Sequence, residues 1–263
     1  MKLAIHDLKG LWLLFLLWTP SLAFIFNGPE LEFGGVRYTP SQYNETGNYY
    51  LYSNIRYAAP PVGDLRWAKP QTPRASDPSV DPNADMTCTQ VTPNWWNITG
   101  FPAGFTGGVE DCLFLDIYVP RNQTNHGKTP IMIHGGGFMT GSKTASGDPS
   151  GLLWAADEPI IYVAINYRLG GLGFLGGQEV ARSGIANAGL HDQRAAFRWV
   201  HDHVAAFGGN PADITVFGES AGAASILYHL TAYGGKDCPL FRRAILQSSA
   251  FFPARGHANN EAR

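Results

Sequence analysis

An α/β fold with a mostly parallel sheet is encoded in this chain of 263 residues. Apolar runs of strand length recur through residues 113–247, and amphipathic helical stretches lie between them. At one point an apolar strand passes straight into a helix through a serine flanked by glycines. Strands and helices alternating in this way build a parallel sheet with helices on its faces.

Residues 1–23 read as a secretory signal peptide. Lys2 and Lys9 supply the positive start, residues 11–18 an unbroken apolar run, and Ser21-Leu22-Ala23 the small residues of a cleavage site. The run is shorter than the roughly 20 residues a bilayer requires, so a membrane anchor is the lesser alternative. Residues 24–263 then read as the N-terminal part of one α/β domain. Residues 24–87, rich in Pro, Asn, Gly and Tyr, predict short irregular strands and loops. Residues 113–119 alternate around Asp116 and predict a strand. Residues 130–134 predict a short buried strand that ends in three glycines, and residues 159–166 another, with Ile160, Ile161, Val163 and Ile165. Over 192–207, Ala196, Trp199, Val200, His203 and Val204 fall on one side at helical spacing. Gly208-Gly209 and then Pro211 end that helix, because glycine tolerates the left-handed cap and proline cannot continue. Residues 213–217 predict a strand, 221–233 a helix stopped by Gly234-Gly235, and 244–246 the start of a last strand. Continuous apolar runs of this kind mark strands covered on both faces.

Composition narrows the function. Apolar residues reach 44% and charged residues only 15%, a balance that buries a core and excludes a disordered chain. Nineteen Lys and Arg against 21 Asp and Glu leave a net charge of −2, with no electrostatic footprint for nucleic acid or an acidic membrane surface. Cys88, Cys112 and Cys238 form an odd set for an oxidising compartment. A Cys88–Cys112 crosslink would close a modest loop and add about 3 kcal/mol by chain entropy, while Cys238 has no assured partner. Sequons at Asn44, Asn97 and Asn122, all in polar and turn-rich stretches, fit export and glycosylation at one or more of them.

Two motifs carry chemistry. Gly218-Glu219-Ser220-Ala221-Gly222 follows an apolar strand and opens a helix, the context a nucleophile elbow needs. The glycines relieve crowding in a tight turn that lifts the Ser220 hydroxyl to a helix N-terminus, where amide N–H groups favour a developing anion. The alternative is an ordinary glycine-flanked serine. His134-Gly135-Gly136-Gly137-Phe138 also follows a buried strand. Successive glycines let amides approach a tetrahedral oxyanion without Cβ obstruction, and the N–H groups of Gly136, Gly137 and Ala221 would make a three-donor hole. A phosphate loop is excluded, since no Gly-Lys-Ser/Thr follows.

With these motifs in order, the chain resembles the type-B carboxylesterase/lipase family, the cholinesterase-like branch of the α/β-hydrolases, and among it the secreted fungal members. The matching stretches are Glu110-Asp111-Cys112-Leu113, His134 to Phe138, Asn166-Tyr167-Arg168, Asp192-Gln193-Arg194, Phe207-Gly208-Gly209-Asn210-Pro211, Gly218 to Gly222, and Phe241 to Ser248. The resemblance implies an α/β-hydrolase fold, a Cys88–Cys112 disulfide, Ser220 as nucleophile, and Gly136, Gly137 and Ala221 as oxyanion donors. It makes Glu219 a residue that tunes the site's electrostatics, and Ser248 a buried serine behind the catalytic histidine. Ser249 departs from the glycine the family has there.

The family's acid and histidine lie well downstream of the nucleophile, and family members run about twice this length. The chain ends at Arg263, so the expectation is an N-terminal part of the fold, C-terminally truncated, without acid or base and inactive alone. An incomplete sequence is the preferred explanation and a natural short product the alternative. His191, His201, His203 and His229 read as surface or packing residues, and nothing fixes His257 near Ser220. The implied activity is a secreted serine hydrolase of small-molecule or lipid carboxylic esters, with no metal or organic cofactor, no nucleic-acid partner and no stable membrane anchor. A non-catalytic binding or adhesion module is the alternative. Trp95 and Trp96 lie too far before Cys112 to match the family's choline-binding tryptophan and read as loop packing.

Overall fold

The computed structural model describes residues 29–33, 35–94, 104, 106–122, 127–235 and 240–249. The expected signal peptide, Trp95, Trp96, Asn97, Cys238 and His257 lie outside the described residues. The chain opens with a small hairpin, β1 (Leu31–Phe33) and β2 (Val36–Tyr38), followed by β3 (Gln42–Asn44) and β4 (Tyr49–Arg56). A short ribbon, β5 (Gln90–Val91) with β6 (Thr106–Gly107), precedes β7 (Phe114–Pro120) and β8 (Gly127–Ile133). Then come α1 (Ser150–Ala155), β9 (Tyr162–Ile165), α2 (Gly170–Phe174), α3 (Gln178–Ser183), α4 (Ala188–His203), β10 (Gly209–Glu219), α5 (Ala221–Thr231) and β11 (Arg243–Gln247).

Seven strands form the central sheet, in the order β11-β10-β8-β9-β7-β4-β3. From β9 to β11 every pairing is parallel, whereas β9, β7, β4 and β3 pair antiparallel. The sheet is therefore mixed, and its parallel part carries both motifs. Ile131, Ile133, Val163, Ile165, Ile214 and Val216 bury one face against Phe197, Val200 and Val204 of the α4 region and Ile226 of α5. The other face holds a row of aromatic rings across four strands: Tyr49 on Tyr118 at 5.3 Å, Tyr118 on Tyr162 at 5.3 Å, and Tyr162 on Phe217 at 5.9 Å. Cross-strand aromatic pairs of this kind pin the register.

Most elements lie where the apolar runs place them. The helix expected over 192–207 starts earlier, at Ala188, and its last turn, Val204–Phe207, tightens to a 3-10 helix. Gly208 then adopts φ 84°, the left-handed cap expected of it. Residues 24–87 hold more regular structure than expected, because β4 is an eight-residue strand inside the main sheet. A register shift between Tyr52 and Ile55, with Asn54 at φ 54°, breaks its period-two pattern. The Asn54 amide donates to Asp116 Oδ1 at 2.9 Å, and Lys143 Nζ donates to Asp116 Oδ2 at 2.8 Å. Asp116 and Lys143 are each only 3% exposed, so the carboxylate within this apolar strand is half of a buried ion pair. The Cys88 and Cys112 sulfurs are bonded as the resemblance implies.

Candidate active site

Ser220 stands between β10 and α5 with φ 53° and ψ −115°, a strained conformation for a residue with a side chain. The turn works only because its flanks are bare. A methyl group on Gly222 would lie 2.0 Å from the Ile133 carbonyl oxygen, and one on Gly218 would lie 2.6 Å from the carbonyl carbon of Gly222. Helix α5 therefore packs its first turn directly on the end of β8. Its first intrahelical bond runs from Ala224 N to Ser220 O at 2.9 Å, so the Ala221 amide precedes the ladder and is one of the free donors of a helix N-terminus.

The glycine loop arrives from β8, the neighbour of β10. A methyl group on Gly135 would sit 3.3 Å from Ser220 Cβ and 2.9 Å from the Glu219 carbonyl oxygen, so loop and elbow touch. Two peptide units of the loop are fixed by their carbonyls. Gly135 O pairs with His134 Nδ1 at 2.8 Å. Gly136 O accepts from Met139 N at 3.0 Å and Thr140 N at 3.1 Å. In a trans peptide the N–H points opposite to the C=O, so these bonds aim the N–H groups of Gly136 and Gly137 away from their anchors. Among the described residues neither amide has a backbone acceptor.

His134 is buried, and its ring stacks on Tyr167 at 4.3 Å, while the Tyr167 hydroxyl donates to His134 O at 2.8 Å. Burial pushes its pKa down to about 4, against the opposing bond to Gly135. It is therefore neutral, with Nδ1 carrying the proton that Gly135 O accepts and Nε2 left without a partner. A histidine so held is a clamp and a poor general base. His191 and His201 lie on α4, and His229 on α5 gives its Nε2 to Gln193 Oε1 at 2.9 Å. His134 lines the same cleft as Ser220, whereas His191, His201 and His229 do not.

Ser220, Gly135, Gly136 and Gly137 line one open cleft of about 800 Å³. Met132, Tyr162, Phe217 and Leu152 give it an apolar wall, and among the described residues Asp148 and Glu219 are its carboxylates and no Lys or Arg lines it. Ser248, expected buried, is exposed at φ 49° just past β11, which has no outer neighbour among the described residues. Glu219 is exposed at the cleft edge. Of the sequons, Asn122 is exposed, while Asn44 already donates its Nδ2 to Tyr49 and Asp148, both at 2.9 Å.

Residues 30–262 match the sequence profile of the Carboxylesterase family. The chain belongs to that family. It is 36% identical to carboxylesterase patB of Penicillium expansum over 86% of its own length and 49% of the relative's. It is 38% identical to lipase 1 of Geotrichum candidum over 79% of its length and 42% of the lipase. Among solved structures, Aspergillus niger EstA superposes with a TM-score of 0.70 at 37% identity, covering 83% of this chain and 41% of EstA. A thermophilic pNB esterase gives 0.70 at 32% identity. The chain thus has the α/β-hydrolase fold of the family and spans about half the length of the curated relatives it matches.

Arg168, Asp192 and Asn166 stand in stretches that carried the resemblance, but the bonds they make were not legible in the sequence. Arg168 forms a bidentate pair with Asp192, both distances 2.7 Å, and also donates to the carbonyls of Arg66 and Ala68 at 2.8 and 2.9 Å. Burial raises the Asp192 pKa, opposed by those bonds. Asn166 accepts from Lys143 N at 2.8 Å and donates to Met86 O at 2.6 Å. Asn166-Tyr167-Arg168 and Asp192-Gln193-Arg194 were both visible as a resemblance, but not the pairing that joins them.

Proposed function

We propose that this protein is a serine hydrolase of carboxylic esters that works through an acyl-enzyme on Ser220. The observation that carries this reading is the strained Ser220 elbow set against residues 135–137 across one cleft. Ser220 Oγ attacks the ester carbonyl carbon and its proton passes to a base. The oxyanion so formed accepts from the N–H groups of Gly136, Gly137 and Ala221. The carbonyl re-forms, the alcohol leaves with the proton, and water then releases the acid and restores Ser220. The base and the acid that orients it lie outside the described residues, in keeping with the family's order of nucleophile, acid and histidine.

The apolar wall of Met132, Tyr162, Phe217 and Leu152 suits an aliphatic or aromatic group of a small-molecule or lipid ester. Names such as carboxylesterase and lipase among the relatives agree with that class. Relatives described as secreted lipases support export, which residues 1–23 would direct as a signal peptide, with Asn122 an exposed glycosylation site among the described residues. The remainder, 24–263, would form one catalytic domain or the N-terminal part of one. The test is ester turnover by the product of the complete coding sequence and by its Ser220→Ala variant. Loss of turnover with an unchanged unfolding temperature supports the assignment. Equal turnover by the variant rejects it and leaves a binding module as the better description.

A further inference from the structure

The loop that carries Gly136 and Gly137 is braced from outside the sheet. Behind it runs the segment that follows Cys88, tied down by the disulfide to Cys112 and by the bonds of Thr89 N to Val109 O at 3.0 Å and Val109 N to Thr87 O at 2.9 Å. From this segment the side chain of Gln90 reaches over to the far end of the glycine loop. Its Oε1 accepts from the Gly141 amide at 2.9 Å and from the Thr140 hydroxyl at 2.5 Å. Its Nε2 faces Gly141 O at 3.3 Å and Cys88 O at 3.4 Å. The amide orientation follows from these partners, since an N–H and an O–H need the oxygen while two carbonyls need the nitrogen. Val91 N adds a contact to Met139 O at 3.3 Å.

We propose that Gln90 is a positioning residue for the oxyanion hole, an inference that rests on the acyl-transfer reading above. Gln90 does not line the cleft and touches neither Ser220 nor the reacting carbonyl. It acts through the two residues it holds. Thr140 N is one of the two amides bonded to Gly136 O, the carbonyl that aims the Gly137 N–H. Gly141, at φ 116°, backs directly onto the other anchor. A methyl group there would lie 2.3 Å from His134 Nδ1 and 2.7 Å from Gly135 O, the pair that aims the Gly136 N–H. One side chain thus fixes the footing of both peptide units. The energetic logic is that of preorganisation: donors must already stand where the charge develops, and displacement of about 1 Å is enough to cost roughly 100-fold in rate.

A brace of this kind differs from a merely structural contact in what its removal changes. Gln90→Met keeps the length of the side chain and removes every hydrogen bond. In the product of the complete coding sequence it should lower kcat by roughly 10- to 100-fold, with KM within about twofold. Affinity for a trifluoromethyl ketone, whose oxyanion occupies the hole, should fall by the same factor as kcat. The unfolding temperature should move little, because Gln90 is only half-buried. Thr140→Val removes one strut from the other side and serves if Gln90→Met folds poorly, with kcat and ketone affinity again falling together. Unchanged kcat, or a fall in kcat matched by no loss of ketone affinity, overturns the inference. Ser220→Ala, measured alongside, separates the two levels. If it abolishes turnover while Gln90→Met does nothing, only the role of Gln90 fails. If Ser220→Ala leaves turnover intact, the acyl-transfer reading fails first.

Discussion

Gly135 is a glycine because Glu219 and Ser220 leave no room beside it. A methyl group there would stand 2.8 Å from Glu219 Oε2, 2.9 Å from Glu219 O and 3.3 Å from Ser220 Cβ. The carboxylate could swing away, but the elbow backbone could not without moving the nucleophile. Gly135→Ala is expected to lower kcat/KM by roughly 100-fold through that displacement, read as initial rates on a chromogenic ester. A rate within twofold of the parent would show that the loop and elbow do not need this contact. The triple glycine and Gly218-Glu219-Ser220-Ala221-Gly222 were legible in the sequence because each motif is local, its spacing set by the turn it makes. The clamp of His134 on Gly135 O was not, since it depends on Tyr167, which stacks from the end of another strand. Gln90 was hidden for the same reason: its partners Thr140 and Gly141 are 50 and 51 residues away.

Among the elements, β7 shows where pattern reading stops. Its apolar alternation predicted a strand, and the strand is there, yet every residue of Phe114–Pro120 is buried. Asp116 sits inside because the bulged β4 offers it the Asn54 amide and because Lys143 comes in to neutralise it. Lys143→Met would leave that carboxylate buried without its cation, at a cost of about 3–5 kcal/mol. Urea unfolding of the variant at neutral pH checks this, and a loss below about 1 kcal/mol would mean that Asp116 finds water or another donor. Strands β7 and β9 lie close to where their apolar runs place them, whereas β10 runs from Gly209 to Glu219, well before the 213–217 expected. Strand β4 was the worst predicted, because its bulge interrupts the period that identifies a strand. The parallel half of the sheet brings β8 beside β10 and so delivers the glycine loop to the elbow. The two motifs are far apart in sequence, and this adjacency is what joins them.

For the whole molecule, buried histidines set a response to acid. Burial depresses the pKa of His134 to about 4, and burial together with the charges of Arg194 and His191 depresses that of His229 to about 3. Both are neutral when folded, whereas an unfolded chain protonates them near pH 6.5. Their stabilising contribution is therefore complete above pH 6.5 and is lost as pH falls through 6 and 5 towards 4. Each lowers stability by about 1.4 kcal/mol per pH unit in that window. Urea midpoints measured from pH 7.5 to pH 4.5 should fall steadily, and His229→Gln, which takes up no proton, should flatten part of the slope. A flat profile in the parent would mean that neither ring is shielded as described. The most direct measurement of all is chemical labelling of the nucleophile. Treated with a fluorophosphonate and mapped by peptide mass spectrometry, the product of the complete coding sequence should carry a single adduct on Ser220, formed as ester turnover disappears. An adduct on another residue, or full turnover with Ser220 unmodified, would contradict the role given to Ser220.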